Sequence, residues 1–315
     1  MKSAEQHNYS SNGNLIISGE YFVLAGAKAL VVPLRYGQQM NVRWYEDTDN
    51  LIRWNVYELG RSWFNAIFTC ENLEIKRSSD IKTAIRLQQI FRVISKMKHG
   101  SFTGNRSYHF SCNIQFGVDW GWGSSSSLLC NLARWAGIDP YELNSLVSPG
   151  SGYDIAASGS PSPVFYQIRE NTSLTIPVNF APAFRNHIHF IYSGRKQNTA
   201  TSIKTNLESI VKNQQEIPVI SGLTDKIARE ENIHEFLRLI AEHETIISKI
   251  VNLPRIKELY FNDFEGEVKS LGAWGGDFFM AVSELDETRV KHYFMKKGLV
   301  PVFSFDEIVK NQIPA

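Results

Sequence analysis

Up to residue 69 the apolar positions fall in short runs separated by glycine or polar turns. The run 15–24 is β-rich and broken by Gly19, 29–34 follows as an apolar run, and 39–45 alternates as a strand with one wet face would; with 51–56 and 63–69 they predict an antiparallel sheet. The period then changes. Leu87, Ile90, Phe91 and Ile94 fall at i, i+3, i+4 and i+7, with lysines and arginines opposite, predicting a helix that opens at Ser79. A further strand is expected at 108–114, and a glycine-serine stretch then runs into a helix over 124–135. A second glycine-rich turn spans 148–158, and 161–182 reads as a strand pair with turns. Beyond it come a strand at 188–192, helices near 200–213 and 233–251, and a third glycine cluster at 272–276. The strand 278–282, a helix near 286–297 and a last strand at 300–303 complete the pattern. Mixed strands and helices in this order predict an α+β protein, with a boundary near residue 180 that divides it into 1–180 and 181–315.

Length and charge narrow the class. The 315 residues exceed one ordinary domain, and 33 basic against 32 acidic side chains leave a net charge of +1. That balance argues against nucleic-acid binding by bulk charge, which relies on a clustered basic excess. Three cysteines without redox-pair or metal-ligand spacing fit a reducing cytoplasm better than a disulfide-stapled secreted domain. The N-terminus lacks the apolar stretch of a signal peptide, and no run is long enough to cross a membrane. A cytoplasmic protein, monomeric or homodimeric, is expected.

The residues most suggestive of chemistry are Gly121-Trp122-Gly123-Ser124-Ser125-Ser126-Ser127. Small residues let a ligand approach the backbone, and successive N–H groups at a helix N-terminus favour an anion, above all a phosphate. The serine hydroxyls add donors and one hard oxygen for magnesium. The stretch is not a Walker A loop, because no Gly-Lys-Ser/Thr follows at the required spacing. Asp154, in Gly150-Ser-Gly-Tyr-Asp-Ile-Ala, reads by itself as a turn former; beside a phosphate site it would be a proton acceptor. The cluster Gly272-Ala-Trp-Gly-Gly-Asp277 reads either as a bend before a strand or as backbone flanking a ligand.

In this order the clusters resemble the motifs of the GHMP kinases, the superfamily of galacto-, homoserine, mevalonate and phosphomevalonate kinases. The first motif is matched by Asn12-Gly-Asn-Leu-Ile-Ile-Ser-Gly-Glu-Tyr-Phe-Val-Leu, the second by the glycine-serine stretch, the third by Lys269-Ser-Leu-Gly-Ala-Trp-Gly-Gly-Asp. The Gly-Tyr-Asp-Ile-Ala string is similar to the bacterial subgroup named after it, and the Gly-Glu-Tyr of the first motif resembles the mevalonate and phosphomevalonate branch. The resemblance implies a two-lobe fold, with a mixed α/β N-terminal lobe and a ferredoxin-like α/β C-terminal lobe, and ATP and substrate between them. It implies an ATP- and magnesium-dependent kinase acting on a small anionic, mevalonate-like molecule, with no nucleic-acid or membrane partner. Residues 121–127 would wrap the ATP phosphates, Ser125 would bind magnesium, and Asp154 would be the catalytic acid-base residue. Glu20, Gly152, Tyr153, Lys196, Gly272, Ala273 and Gly275 would line the acceptor side.

Two positions depart from the family pattern. Asn14 stands where many relatives have a catalytic lysine, and Lys28, Arg195 or Lys196 would have to supply the missing charge. The glutamate that relatives use for magnesium falls at Leu143, with Glu142 adjacent. These departures carry the competing reading, a catalytically degenerate nucleotide- or metabolite-binding homologue serving as sensor or partner subunit. Other candidates point to ordinary roles. His187 and His189 lie on one strand face with no third metal ligand in sight, Trp120, Trp122 and Trp274 read as packing, and the charged run 226–245 reads as a solvated helix face.

Overall fold

The computed structural model describes residues 5–102, 105–148, 150–170, 172–195, 208–272 and 276–312. They divide into two compact units that interleave along the chain. The first comprises 1–13, 36–118 and 123–159; the second comprises 14–35, 119–122 and 160–315. The units therefore do not follow a single cut near residue 180. The physical reason lies in two long strands, β1 (Glu5–Ser18) and β2 (Ala29–Glu46), each of which serves one unit with its first part and the other with its second.

In the first unit, β2 pairs antiparallel with β6 (Arg106–Ile114), and β6 pairs parallel with β3 (Leu51–Glu58). Antiparallel β4 (Arg61–Thr69) and β5 (Ile75–Ser78) continue the sheet. Helix α1 (Ile81–Met97) begins two residues after Ser79 and is capped by Asp80, whose carboxylate accepts the Lys82 and Thr83 N–H groups. Its apolar stripe, Ala84, Leu87, Phe91 and Ile94, is buried as the periodicity predicts. Phe91 meets Phe68 and Trp54 edge-on at centroid distances of 5.3 and 5.6 Å, forming the aromatic centre of the core.

Helix α2 (Ser124–Ala136) follows the glycine-serine loop, and α3 (Pro140–Val147) and α4 (Tyr153–Gly159) follow it. The C-terminus of α2 is closed by Gly137 in the left-handed conformation and by the Lys98 ammonium on the Ala136 carbonyl. The stretch around Asp154, expected to be a turn, is thus a short helix.

The second unit contains an antiparallel sheet in the order β10-β11-β9-β12. Its strands are β9 (Ile188–Tyr192), β10 (Glu267–Leu271), β11 (Phe278–Val282) and β12 (Val302–Ser304). Helices α5 (Glu216–Arg229), α6 (Ile233–Val251) and α7 (Ile256–Tyr260) connect β9 to β10, and α8 (Glu287–Lys296) connects β11 to β12. Numbered by chain order, the four strands lie 2-3-1-4, the ferredoxin-like βαββαβ arrangement. Strands β7 (Val164–Arg169) and β8 (Thr172–Pro177), the expected strand pair, extend the N-terminal part of β2.

The charged run 226–245 proves to be two helices with a break at 230–232. In α6 one face is buried, by Phe236, Leu239, Ile240, His243, Glu244 and Ile247, so the run is not simply solvated. Of the helix expected near 200–213, residues 208–212 are helical and the remainder lies largely outside the described residues.

Candidate active site

Helix α2 has an open N-terminus. Its N-cap is Gly123, left-handed at φ 74°, and no side chain caps the first turn. Residues with capping hydroxyls or carboxylates would close these N–H groups internally; glycine leaves them to an external acceptor. The four serines divide sharply. Ser126 Oγ donates to the Gly123 carbonyl (2.9 Å) and lies 3.1 Å from Ser158 Oγ on α4. Ser127 Oγ engages Gln38 Oε1 and the Ser124 carbonyl, both at 3.1 Å. Both residues are buried, whereas Ser124 is half-buried and Ser125 exposed. The hydroxyls of Ser126 and Ser127 therefore build the helix start, and Ser125 faces solvent.

A buried polar chain anchors this helix to the strands beneath it. Asn131 donates to the Gln38 carbonyl (2.8 Å) and accepts from Ser11 Oγ (2.8 Å), and Arg134 reaches the Ser10 carbonyl. Helix α4 packs on α2 through the Ser126–Ser158 contact and the Cys130 thiol against the Ile155 carbonyl at 3.7 Å. Asp154, in the first turn of α4, is half-buried, and its charge acts on Cys130. Burial raises its carboxyl above the usual range, and the Ile155 N–H at 3.1 Å only partly offsets this. Such a carboxylate is a better proton acceptor than an exposed aspartate. Gly152, at φ 85°, is buried and Tyr153 half-buried at the start of the same helix.

Most of the remaining candidate residues belong to the second unit. Gly121 has φ 69°, and a Cβ there would stand 2.0 Å from Asp277 Oδ2, so the second glycine motif packs directly on the acid that ends the third. The Trp122 ring is fully buried against Trp120, Phe278 and Phe303, which restricts Trp122 to a backbone role: its carbonyl accepts the Asn14 N–H at 3.0 Å. Asn14 is itself buried. Lys28 is bound to Asp225 at 2.6 Å, so its charge is committed there, and Arg195 is exposed. Gly272 is left-handed at φ 75°, while Lys196, Ala273 and Gly275 lie outside the described residues. Glu142 is exposed, and Leu143, fully buried and without a ligand atom, is no metal donor.

Glu20 is in a different setting from that expected of an acceptor-lining residue. It is 4 % exposed and bonded to the Lys269 ammonium, which also donates to Glu244 Oε1 at 3.0 Å. His243 Nε2 lies 3.6 Å from Glu20 Oε2. Glu20, His243 and Glu244 offer ligand atoms within 4.8 Å of one another, the one such trio among the described residues. The cation among them is Lys269, whose ammonium bonds both carboxylates, so the space is that of a lysine and not of a metal ion. Sequence reasoning missed His243, Glu244 and the role of Lys269. The available signal was two ionisable residues on the apolar stripe of α6.

Neither a protein-family model nor a curated protein matches this chain. Solved structures match it over nearly its full length. Streptococcus pneumoniae phosphomevalonate kinase, in complex with phosphomevalonate and AMPPNP, aligns with a TM-score of 0.69 at 15 % identity, covering 95 % of this chain and 99 % of that one. L. major mevalonate kinase in complex with R-mevalonate aligns at 0.68 and 13 % identity, covering 100 % and 99 %. Lactococcus lactis galactokinase complexed with galactose aligns at 0.66 and 13 %, covering 97 % and 95 %. The fold of the chain is that of the GHMP kinases.

Proposed function

We propose that this protein is an ATP-dependent small-molecule kinase whose acceptor is a hydroxyl or phosphate of a mevalonate-like anion. One observation carries the reading: α2 opens without a side-chain cap, and the helix packed on it carries Asp154 in its first turn. Phosphoryl transfer needs oriented N–H donors and charge neutralisation around the phosphates, and a base near the acceptor oxygen. The first turn of α2 supplies the donors, and Asp154, with its raised affinity for a proton, supplies the base. Gly121 to Ser127 would bind the nucleotide, and Gly152, Tyr153 and Gly272 would line the acceptor. Magnesium takes hard oxygen ligands and retains waters, and the exposed Ser125 hydroxyl and the Asp154 carboxylate are donors of that kind. When bound, the ion would neutralise charge on the transferring phosphate.

Purified protein incubated with magnesium-ATP and, separately, mevalonate or phosphomevalonate tests the proposal by acceptor-dependent ADP release. Release with neither overturns the acceptor assignment; failure to bind ATP overturns the kinase reading. The degenerate, binding-only reading has one observation in its favour. Asn14 replaces the family lysine, and Lys28 is occupied by Asp225. Activity that appears only in Asn14→Lys supports that reading, and a robust wild-type rate ends it.

A further inference from the structure

The buried ionic cluster around Lys269 has no part in the phosphate chemistry proposed above, and its charge count is unbalanced. Lys269 on β10 donates to Glu20, to Glu244 Oε1 (3.0 Å) and to the Ser270 carbonyl (3.2 Å). Glu244 Oε2 accepts the Ser270 N–H at 3.2 Å. His243 Nε2 accepts the Gly19 N–H at 3.2 Å, which requires a neutral ring with its proton on Nδ1. Burial and the Lys269 charge both hold it in that neutral form. All four side chains are between 0 and 4 % exposed. One ammonium, two carboxylates and a neutral imidazole leave a buried charge of −1, which a low-dielectric interior disfavours.

The oxygen left over is identifiable. Glu20 Oε2 is buried, has no hydrogen-bond partner, and faces His243 Nε2 at 3.6 Å. A buried carboxylate oxygen with no donor, facing a nitrogen that is itself an acceptor for the Gly19 N–H, is unfavourable while ionised. We propose that Glu20 carries a proton in the folded protein, making the Lys269-centred cluster neutral, and that this proton holds the turn that leaves β1 and the end of β10. Burial first, then the neighbouring Glu244 charge, outweigh Lys269 and raise the Glu20 carboxyl to about 7. Arg255 adds a more distant positive charge on Glu244.

Both the turn after β1 and the end of β10 rest on this cluster. The Glu20 carbonyl accepts the Phe22 N–H at 2.7 Å across Tyr21, which has φ 62° and ψ −55°, a strained three-residue turn that persists only where its surroundings hold it. At the other end, Ser270 Oγ accepts the Gly276 N–H at 3.2 Å, tying residue 276 to β10. Loss of the proton places a net negative charge at the base of both. Under the kinase reading, on which only the kinetic arm below rests, Glu20 is a positioning residue acting through Lys269.

The test compares wild type with Glu20→Gln, which keeps the shape and cannot ionise. Because the folded carboxyl lies above its unfolded value, its stabilisation is complete below about pH 4.5 and is lost as pH rises through about 7. The folding equilibrium of wild type should therefore fall, relative to Glu20→Gln, by roughly two orders of magnitude between pH 5 and pH 8 in urea titrations. Carbon-13 NMR of wild type labelled at glutamate carboxyls should show one resonance titrating near neutrality. A pH-independent difference between the proteins, or no glutamate carboxyl titrating above pH 6, overturns the proposal. If Glu20→Gln fails to fold, the NMR titration of wild type decides alone. In the kinetic arm, phosphate transfer by wild type should decline above pH 7 through kcat, with the decline absent in Glu20→Gln. Absence of any transfer refutes the kinase reading and leaves the protein-only measurements intact.

Discussion

Gly121→Ala probes the contact that joins the second and third glycine motifs. The new Cβ would lie 2.0 Å from Asp277 Oδ2, 2.7 Å from its Cγ and 2.8 Å from its Cβ. Rotating the Asp277 side chain relieves the first two contacts but not the third, so the backbone entering β11 must also give way. Overpacking of this kind costs about 1–3 kcal/mol, and a left-handed alanine at φ 69° adds about 1–2 kcal/mol. The expected total is about 2–5 kcal/mol. Urea denaturation followed by tryptophan fluorescence measures it, since Trp120 and Trp122 flank the site. Asp277→Gly in the same chain removes all three contacts, so the double-mutant cycle should return a coupling of about 1–3 kcal/mol and leave the backbone strain. A Gly121→Ala protein within about 0.5 kcal/mol of wild type, or a cycle without coupling, refutes this packing.

Four further outcomes follow from the same structure. Asp154→Asn should lower kcat by about 10²–10⁴ while ATP affinity, measured by calorimetry, stays near wild type; equal loss of both would mark Asp154 as structural. Lys269→Met removes the ammonium bonded to both Glu20 and Glu244 and should destabilise the protein by about 3–5 kcal/mol at pH 8, where Glu20 has lost its proton, and by less at pH 5, where Glu20 holds it, in urea titrations. His189 is fully buried with both ring nitrogens unpartnered, and burial lowers its pKa. Its neutral form favours folding above about pH 6.5, and that stability is lost as pH falls, so His189→Phe should flatten the acid limb of the stability–pH curve. All three cysteines are buried, with Cys70 pushed up to about 11, Cys130 to about 12 and Cys112 further. Ellman's reagent should therefore react with the three thiols only after unfolding.

Much of this protein was legible in its sequence. Short apolar-rich runs, with alternation at 39–45, marked the early strands, the stripe of Leu87, Phe91 and Ile94 marked α1, and the glycine-serine run marked the start of α2. These features are local: period, capping and glycine content act through neighbouring residues, so the sequence displays them directly. The order of the glycine motifs pointed to the GHMP kinase fold, and the aligned structures share it. What required the tertiary structure was the fate of each polar group. Four consecutive serines look alike in the chain, yet Gln38 and Ser158, 89 residues before Ser127 and 32 after Ser126, engage two of them and leave Ser125 exposed. Glu20 looked like part of an acceptor wall because its neighbours in sequence are motif residues; Lys269 lies 249 residues away, and that contact placed it in the interior. Charge, burial and proton occupancy are set by side chains distant in sequence and adjacent in space, and folding alone decides which ones meet.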